Sequence, residues 1–374
     1  MKTKAVLLRK SGMERPYAKS KPLTIETVEL SPPGPDEVLV KIAAAGLCHS
    51  DLSAINGDRP RPLPLALGHE ASGIVSEVGP HVSEVQKGDH VVMSFLPVCG
   101  HCPACAEGRG ALCGPGYAAN AKGTLLSGSR PIHLDGQDIN IHSGISAFSE
   151  YVVVSKHSVV KVPKELDLTH GALFGCAVMT GVGAVVNTCR VRPGETVGII
   201  GLGGVGLSAV LGAVACGASK IIAIDLLQSK LDIASKMGAT HTFLASDGDI
   251  VDQIKAVTNG AGVQYAIEFA GSPKAFNVAF NITRRGGTTA VAGLTSHSNF
   301  EIAPLVLVGE ERTVKGCYMG SCVPSRDILY YIDLYLAGKL PVDKLMSSTG
   351  PMDNINEAFD RLDRAEVLRH IIIP

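Results

Sequence analysis

The cysteines and histidines of this chain are spaced as metal ligands. Cys99, Cys102, Cys105 and Cys113 follow the pattern Cys-x2-Cys-x2-Cys-x7-Cys. Thiolates separated by two residues can point at one centre, and four of them complete the closed tetrahedral sulfur shell of a structural zinc. The intervening residues, among them Gly100, Pro103, Gly108 and Gly110, are the small or turn-forming types that a knuckle around a metal needs. An iron–sulfur cluster also takes four cysteines and is the main competing group. Four incidental buried cysteines do not account for this density. A closed shell pins a loop and leaves no position for a substrate, so the reaction chemistry must lie elsewhere.

A second group is spread more widely. Cys48-His49-Ser50-Asp51 precedes Gly68-His69-Glu70, and Gly175-Cys176 follows far downstream. Cys48, His69 and Cys176 are three soft or borderline ligands, and in a zinc site that number leaves a fourth position open for water or substrate. Spacing alone does not single out this trio, because lone cysteines and histidines are more often core or surface residues.

The third constellation is Gly201-Leu202-Gly203-Gly204-Val205-Gly206. A chain with 42 glycines produces such clusters by chance, so the flanks decide. A strand-like run, Thr196–Ile200, precedes it, a helical run follows, and Asp225 ends the next strand 19 residues past Gly206. That context predicts a dinucleotide fold. Gly201 makes the tight turn, Gly203 lets the backbone approach a pyrophosphate, and Gly206 lets helix and strand pack. The helix N-terminus offers unpaired N–H groups to the phosphates. Asp225 would accept hydrogen bonds from free ribose hydroxyls and repel a 2′-phosphate, and Leu226-Leu227 brings no cation to offset that, which predicts NAD.

These residues need a scaffold. The first third reads as short strands, 38–42, 73–78 and 90–93, set off by Gly, Pro and Asp turns, as in a barrel or sandwich. Residues 114–145 are rich in Gly, Ser and Asn and read as a long surface excursion. The texture changes near residue 170. Strands at 196–200, 220–224, 265–268 and 288–292 then alternate with helical stretches, which predicts a doubly wound parallel sheet. The tail reads as helices at 328–337 and 355–362 and a closing strand at 371–373.

Composition bounds the partners. The 374 residues suffice for two domains, and 45% hydrophobic with 18% charged content describes a globular chain with ample core. A net charge of −1 offers no basic field to nucleic acid or to an anionic membrane, which also weakens a zinc-finger reading. No apolar stretch is long enough to span a bilayer, and the N-terminus lacks a signal-peptide core. Ten cysteines without such a signal suggest a reducing, cytoplasmic setting.

Taken in order, Cys48–Asp51, Gly68–Glu70 with Gly73 and Gly79, Gly88-Asp89, the cysteine tetrad, Cys176 with Thr180, and Gly201–Gly206 with Asp225 resemble the zinc-dependent medium-chain alcohol dehydrogenases over essentially the whole chain. The resemblance implies a twisted β-barrel-like, GroES-like catalytic domain, residues 1–179, completed by residues 321–374. A Rossmann domain, 180–320, is inserted between. It implies reversible hydride transfer between a primary, and also aromatic, alcohol/aldehyde pair and NAD, in a homodimer with two zinc ions per chain. Cys48, His69 and Cys176 would hold the catalytic zinc. Asp51 would fix the tautomer of His69, Glu70 would assist ligand exchange from behind the metal, and Ser50 would take the alcohol proton. Thr180, Gly204 and Val205 fall with the cofactor-binding residues, His49 and Arg369 where the family contacts the pyrophosphate, and Lys230 near the adenosine ribose. Phe95, His142 and Tyr318 would line the substrate pocket.

Two departures qualify the resemblance. Many relatives carry a histidine three residues after the relay hydroxyl; here that residue is Ser53. The pocket also looks less uniformly apolar, with His142, Ser143 and Tyr318 falling where many relatives have aliphatic or aromatic residues. The alternatives are a glutathione-dependent formaldehyde dehydrogenase, against which the segment around Asp58-Arg59 lacks an acidic pair, and a non-catalytic zinc- and NAD-binding protein, which would be expected to have lost a ligand or Ser50.

Overall fold

The computed structural model describes residues 1–294 and 299–374, which divide into two compact units. The first comprises residues 1–176, 323–336 and 345–374, and the second residues 177–322 and 337–344.

Period-two burial builds the first unit. Along the strand Glu37–Gly46, Val38, Val40 and Ile42 face a core that also takes Val6, Leu8, Phe148 and Phe359, whereas Leu39 faces a second cluster with Ala5, Leu7, Val28 and Leu30. Successive side chains of a strand point to opposite faces, so a strand buried on both sides serves two cores at once. Lys2–Leu8 pairs antiparallel with Leu23–Leu30 and belongs to a six-stranded sheet. Glu37–Gly46 lies in a seven-stranded sheet, flanked by Ala71–Val78 and by Tyr151–Ser155, both antiparallel. The C-terminal strand Arg369–Ile373 joins the same sheet at Ala45 and Gly46.

Residues 114–145 depart from the surface excursion expected of them. They form the helix Gly114–Lys122, a hairpin of Ile132–Leu134 with Gln137–Asp138, and the strand Asn140–Ile141, which runs parallel to Leu65–Ala66. The segment has few apolar residues but buries Leu125, Ile132, Ile139 and Ile141. A buried carboxylate anchors its turn: Glu37 Oε1 accepts the Ser127 and Ser129 hydroxyls, both at 2.6 Å, and Oε2 accepts Gly34 N–H at 2.9 Å. Polar composition here reflects hydrogen bonding to the interior rather than solvation.

In the second unit six parallel strands lie in the order His241–Leu244, Lys220–Asp225, Thr196–Ile200, Val263–Glu268, Thr283–Val291, Thr313–Gly316. This is the doubly wound order whose reversal falls beside Thr196–Ile200, where such sheets bind ligands at the strands' carboxyl ends. Not all of the tail expected to complete the first domain does so. Helix Pro324–Leu336 ends before Gly338, which takes the left-handed φ of +69°, and the buried Leu340 and Val342 that follow belong to the second unit.

Candidate metal centres and dinucleotide site

Three local devices bring the first set of donors together. Cys48 caps the helix His49–Ile55, and Asp51, at its third position, reaches back to Cys48 N–H at 3.3 Å. The chain then reaches His69 through Gly68, whose φ is +98° and where a Cβ would lie 2.5 Å from Phe148 N; no other residue fits that corner. Cys176 follows a single-turn helix, Ala172–Gly175.

The result is a buried cluster in which donor atoms of Cys48, His69, Glu70 and Cys176 all lie within 4.8 Å of one another. His69 Nδ1 and Asp51 Oδ1 are 3.0 Å apart, which puts the proton on Nδ1 and leaves Nε2 as the ligand atom, 3.5 Å from Cys176 Sγ. A tetrahedral ion with bonds of about 2.3 Å to sulfur and about 2.0 Å to nitrogen would set that separation near 3.5 Å. The donors therefore fit a zinc ion.

The donors perturb one another strongly. Cys48 is held well below the usual thiol range, first by the hydrogen bond from Cys176 and then, against burial, by the Arg369 charge. Cys176 is pushed well above that range by the same shared proton and by burial. Two adjacent sulfurs in a dry site suit a cation once both are thiolates. Burial pushes the Glu70 carboxyl up to about 7 against the pull of Arg369. Burial opposes charge on His69, but Asp51 and Cys48 outweigh it and raise the ring's pKa well above its ordinary value.

The four-cysteine loop forms its own cluster. Cys102 Sγ lies 3.4 Å from Cys105 Sγ, and Cys99 Sγ lies 3.9 Å from Cys105 Sγ. Sulfur atoms around a tetrahedral zinc sit about 3.8 Å apart. Cys113 Sγ accepts N–H groups from Cys99 and Gly116. The Cys105 backbone N–H, above all, draws Cys102 down to about 6, while burial and the Cys102 neighbour push Cys105 up to about 12. This group fits zinc as well.

The dinucleotide motif sits as its context predicts. Gly201 turns at φ +89°, and Gly203 precedes the helix Gly204–Ala215, which takes in Val205. A Cβ on Gly206 would lie 1.9 Å from Gly201 O, so only glycine lets this helix meet its strand. Thr180 is on the helix Ala177–Gly183, whose Gly181 abuts the Val205 carbonyl. Asp225 does more than was foreseen: Oδ2 accepts Leu202 N–H at 2.7 Å and Oδ1 accepts Leu227 N–H at 3.0 Å, tying the glycine turn to the second strand.

The remaining candidates occupy varied surroundings. His49 is exposed and Ser50 half-buried on their helix, but Arg369 is only 3% exposed. Its Nη1 donates to Leu47 O at 2.8 Å and lies 3.4 Å from Glu70 Oε2, because its strand pairs just upstream of Cys48. Lys230 is likewise buried. Phe95 meets the His69 ring edge to face at 5.8 Å. His142, expected on the pocket wall, is 2% exposed with Nδ1 3.1 Å from Asp51 Oδ1. No local motif could have announced that contact, since it depends on the path of residues 114–145. Tyr318 lies half-buried in the second unit.

Residues 34–164 match the alcohol dehydrogenase GroES-like domain family, and residues 204–336 the zinc-binding dehydrogenase family. The chain is 38% identical to the putative alcohol dehydrogenase D of Mycobacterium tuberculosis (strain ATCC 25618 / H37Rv), with all of both chains covered. It is 37% identical to the NDMA-dependent alcohol dehydrogenase of Amycolatopsis methanolica, covering all of this chain and 99% of that one. Among solved structures, the benzyl alcohol dehydrogenase of Acinetobacter calcoaceticus superposes with a TM-score of 0.93 at 33% identity, over 100% of this chain and 99% of that one. With both domain families matched in order and the ligand clusters assembled, the chain belongs to the zinc-dependent medium-chain alcohol dehydrogenases.

Proposed function

We propose that this zinc alcohol dehydrogenase interconverts primary alcohols, aromatic ones included, and their aldehydes with NAD, and that it carries two zinc ions per chain. The carrying observation is the buried convergence of Cys48, His69 and Cys176, with Asp51 behind the imidazole and the Phe95 ring against it. When bound, zinc would acidify a substrate hydroxyl or polarise a carbonyl, and the nicotinamide would accept or return the hydride. The chain's own residues set the conditions for that chemistry. Two thiolates offset the ion's charge, Asp51 orients His69, and burial excludes water. Ser50 takes the alcohol proton and passes it toward solvent. In this reading Phe95 is the aromatic pocket wall beside His69, Thr180 and His49 contact the cofactor, Lys230 lies near its ribose, and Arg369 supplies a cationic contact to the pyrophosphate. Initial rates on linear, branched and aromatic alcohols and their aldehydes test the reading; absence of turnover on every primary alcohol would reject it.

The preference for NAD rests on Asp225 and the uncharged Leu226-Leu227 that follows. Asp225→Gly is expected to narrow the NAD-over-NADP ratio of kcat/KM by tenfold or more, about 1.4 kcal/mol per decade. Because Asp225 also holds Leu202 N–H, KM for both cofactors should rise. Equal efficiency with NAD and NADP in the unaltered enzyme would contradict the argument.

The reading extends to a cytoplasmic homodimer. All ten cysteines are free, as a reducing compartment keeps them. Thr313–Gly316 is a sheet edge, and the neighbouring helix Pro304–Glu310 exposes Leu305 and Val308 at 82% and 77%, an apolar face of the kind a subunit contact covers. Light scattering should return twice the chain mass; a monomer at micromolar concentration would refute it.

A further inference from the structure

The contact between His142 and Asp51 belongs to neither metal centre's ligand set, yet the backbone fixes it closely. Asn140–Ile141 runs parallel to Leu65–Ala66, with Leu65 opposite Asn140 and Ala66 opposite Ile141, so residues 142 and 69 emerge from neighbouring strands toward the same place. Ser146 Oγ locks the turn, accepting His142 N–H at 2.9 Å and donating to Ala66 O at 2.8 Å. Ser143 and Ser146 both adopt left-handed φ, +52° and +59°, a conformation that non-glycine residues hold only where their surroundings impose it.

At the end of this turn His142 Nδ1 stands 3.1 Å from Asp51 Oδ1, the same oxygen that holds His69 Nδ1 at 3.0 Å. The N–H of His142 is not aligned well enough for a full hydrogen bond, but two bare lone pairs at that distance in a dry site would repel, so Nδ1 carries the proton. The two imidazoles also meet ring edge to face, with centroids 5.5 Å apart at 81°. Phe95 meets the same His69 ring at 87°, so a ligand imidazole is flanked by two rings and hydrogen-bonded to a carboxylate that a second imidazole also approaches.

We propose that His142 is a positioning residue of the metal centre: its Nδ1 edge, 3.1 Å from Asp51 Oδ1, attracts that carboxylate electrostatically and limits its movement, so that His69 keeps Nε2 on the zinc. The proposal rests on the reading of Cys48, His69 and Cys176 as zinc ligands. Outer-sphere partners of ligand histidines typically govern metal affinity by 10- to 100-fold.

The test measures zinc release from the purified enzyme into a colorimetric chelator, with the four-cysteine zinc as internal reference for an intact fold. His142→Asn keeps an N–H donor near the Nδ1 position, and His142→Phe keeps the ring but removes the donor. Release from the three-ligand site is expected to accelerate about 10- to 100-fold in His142→Phe, and to stay within about threefold of the unaltered enzyme in His142→Asn, since an amide N–H restores the donor. Unaltered release in His142→Phe, or equally fast release in both variants, would overturn the proposal, because ring packing alone would then explain the contact. If the unaltered enzyme itself holds zinc only at the four-cysteine site, the ligand reading falls instead, and the metal content of that protein tells the two failures apart.

Discussion

Replacing Cys176 by serine is expected to abolish turnover while leaving the fold largely intact, whereas replacing Cys102 by alanine should destabilise or aggregate the protein. The two clusters differ in what a lost ligand exposes. Cys176 belongs to a set with an open position, and its removal takes away a charge that helps hold the ion facing the substrate; a loss on the order of 10³-fold or more in kcat is consistent with about 4 kcal/mol of lost transition-state stabilisation. Cys102 caps the short helix Pro103–Ala106 and shares a four-thiolate shell on a loop with little core of its own. Structural zinc supplies such loops with folding free energy outright. A loss of about 3–5 kcal/mol would lower Tm by on the order of 10 °C in a domain of this size. Metal analysis and thermal unfolding read both variants. One zinc or none per chain in active protein would remove the basis of the distinction.

Ser50→Ala should nearly eliminate alcohol oxidation, and Ser53→Ala should change it less than about twofold. The alcohol proton must leave a buried site, and positioned proton transfer is worth about 10²–10⁴-fold. Ser50 stands half-buried on the helix that carries Asp51. Ser53 is occupied otherwise: its hydroxyl donates to His49 O at 2.8 Å, one turn back on the same helix. That bond commits its only proton to the helix backbone, which argues against a relay role. Ser53→His is expected to raise the oxidation rate by about tenfold at pH near and above about 6.5, where a neutral imidazole would stand one turn from Ser50 as a base. If Ser53→Ala proves as damaging as Ser50→Ala in initial-rate measurements, the proton leaves through Ser53.

What the sequence disclosed was local. Thr196–Ile200, its glycine turn and Lys220–Asp225 could be read because strand, turn and helix follow within one stretch of chain, each with its own residue preferences. The cysteine tetrad was legible for the same reason. Cys48, His69 and Cys176 needed the family resemblance, since nothing in their spacing says that three distant segments converge. The segment 114–145 was misread because its buried apolar residues are sparse and its serines bond inward to Glu37, a partner some 90 positions away. His142 beside Asp51 and Arg369 beside Glu70 are products of strand pairing, of Asn140–Ile141 with Leu65–Ala66 and of Arg369–Ile373 with the end of Glu37–Gly46. Pairing between remote strands leaves no periodicity in either one.

That last pairing bears on how the enzyme is made. Cys48, His69 and Cys176 are all synthesised before the second unit begins, but the strand that covers Ala45 and Gly46 and delivers Arg369 follows it. At about 5–20 residues per second, a nascent chain spends on the order of 10–40 seconds with three zinc ligands in hand and the sheet beside them open. During that interval the unpaired edge invites a neighbouring nascent chain, and Glu70 lacks its counter-charge. Synthesis in the cell should therefore depend on a holdase chaperone more than the finished protein's stability would suggest, and chains stalled before residue 369 should be its preferred clients.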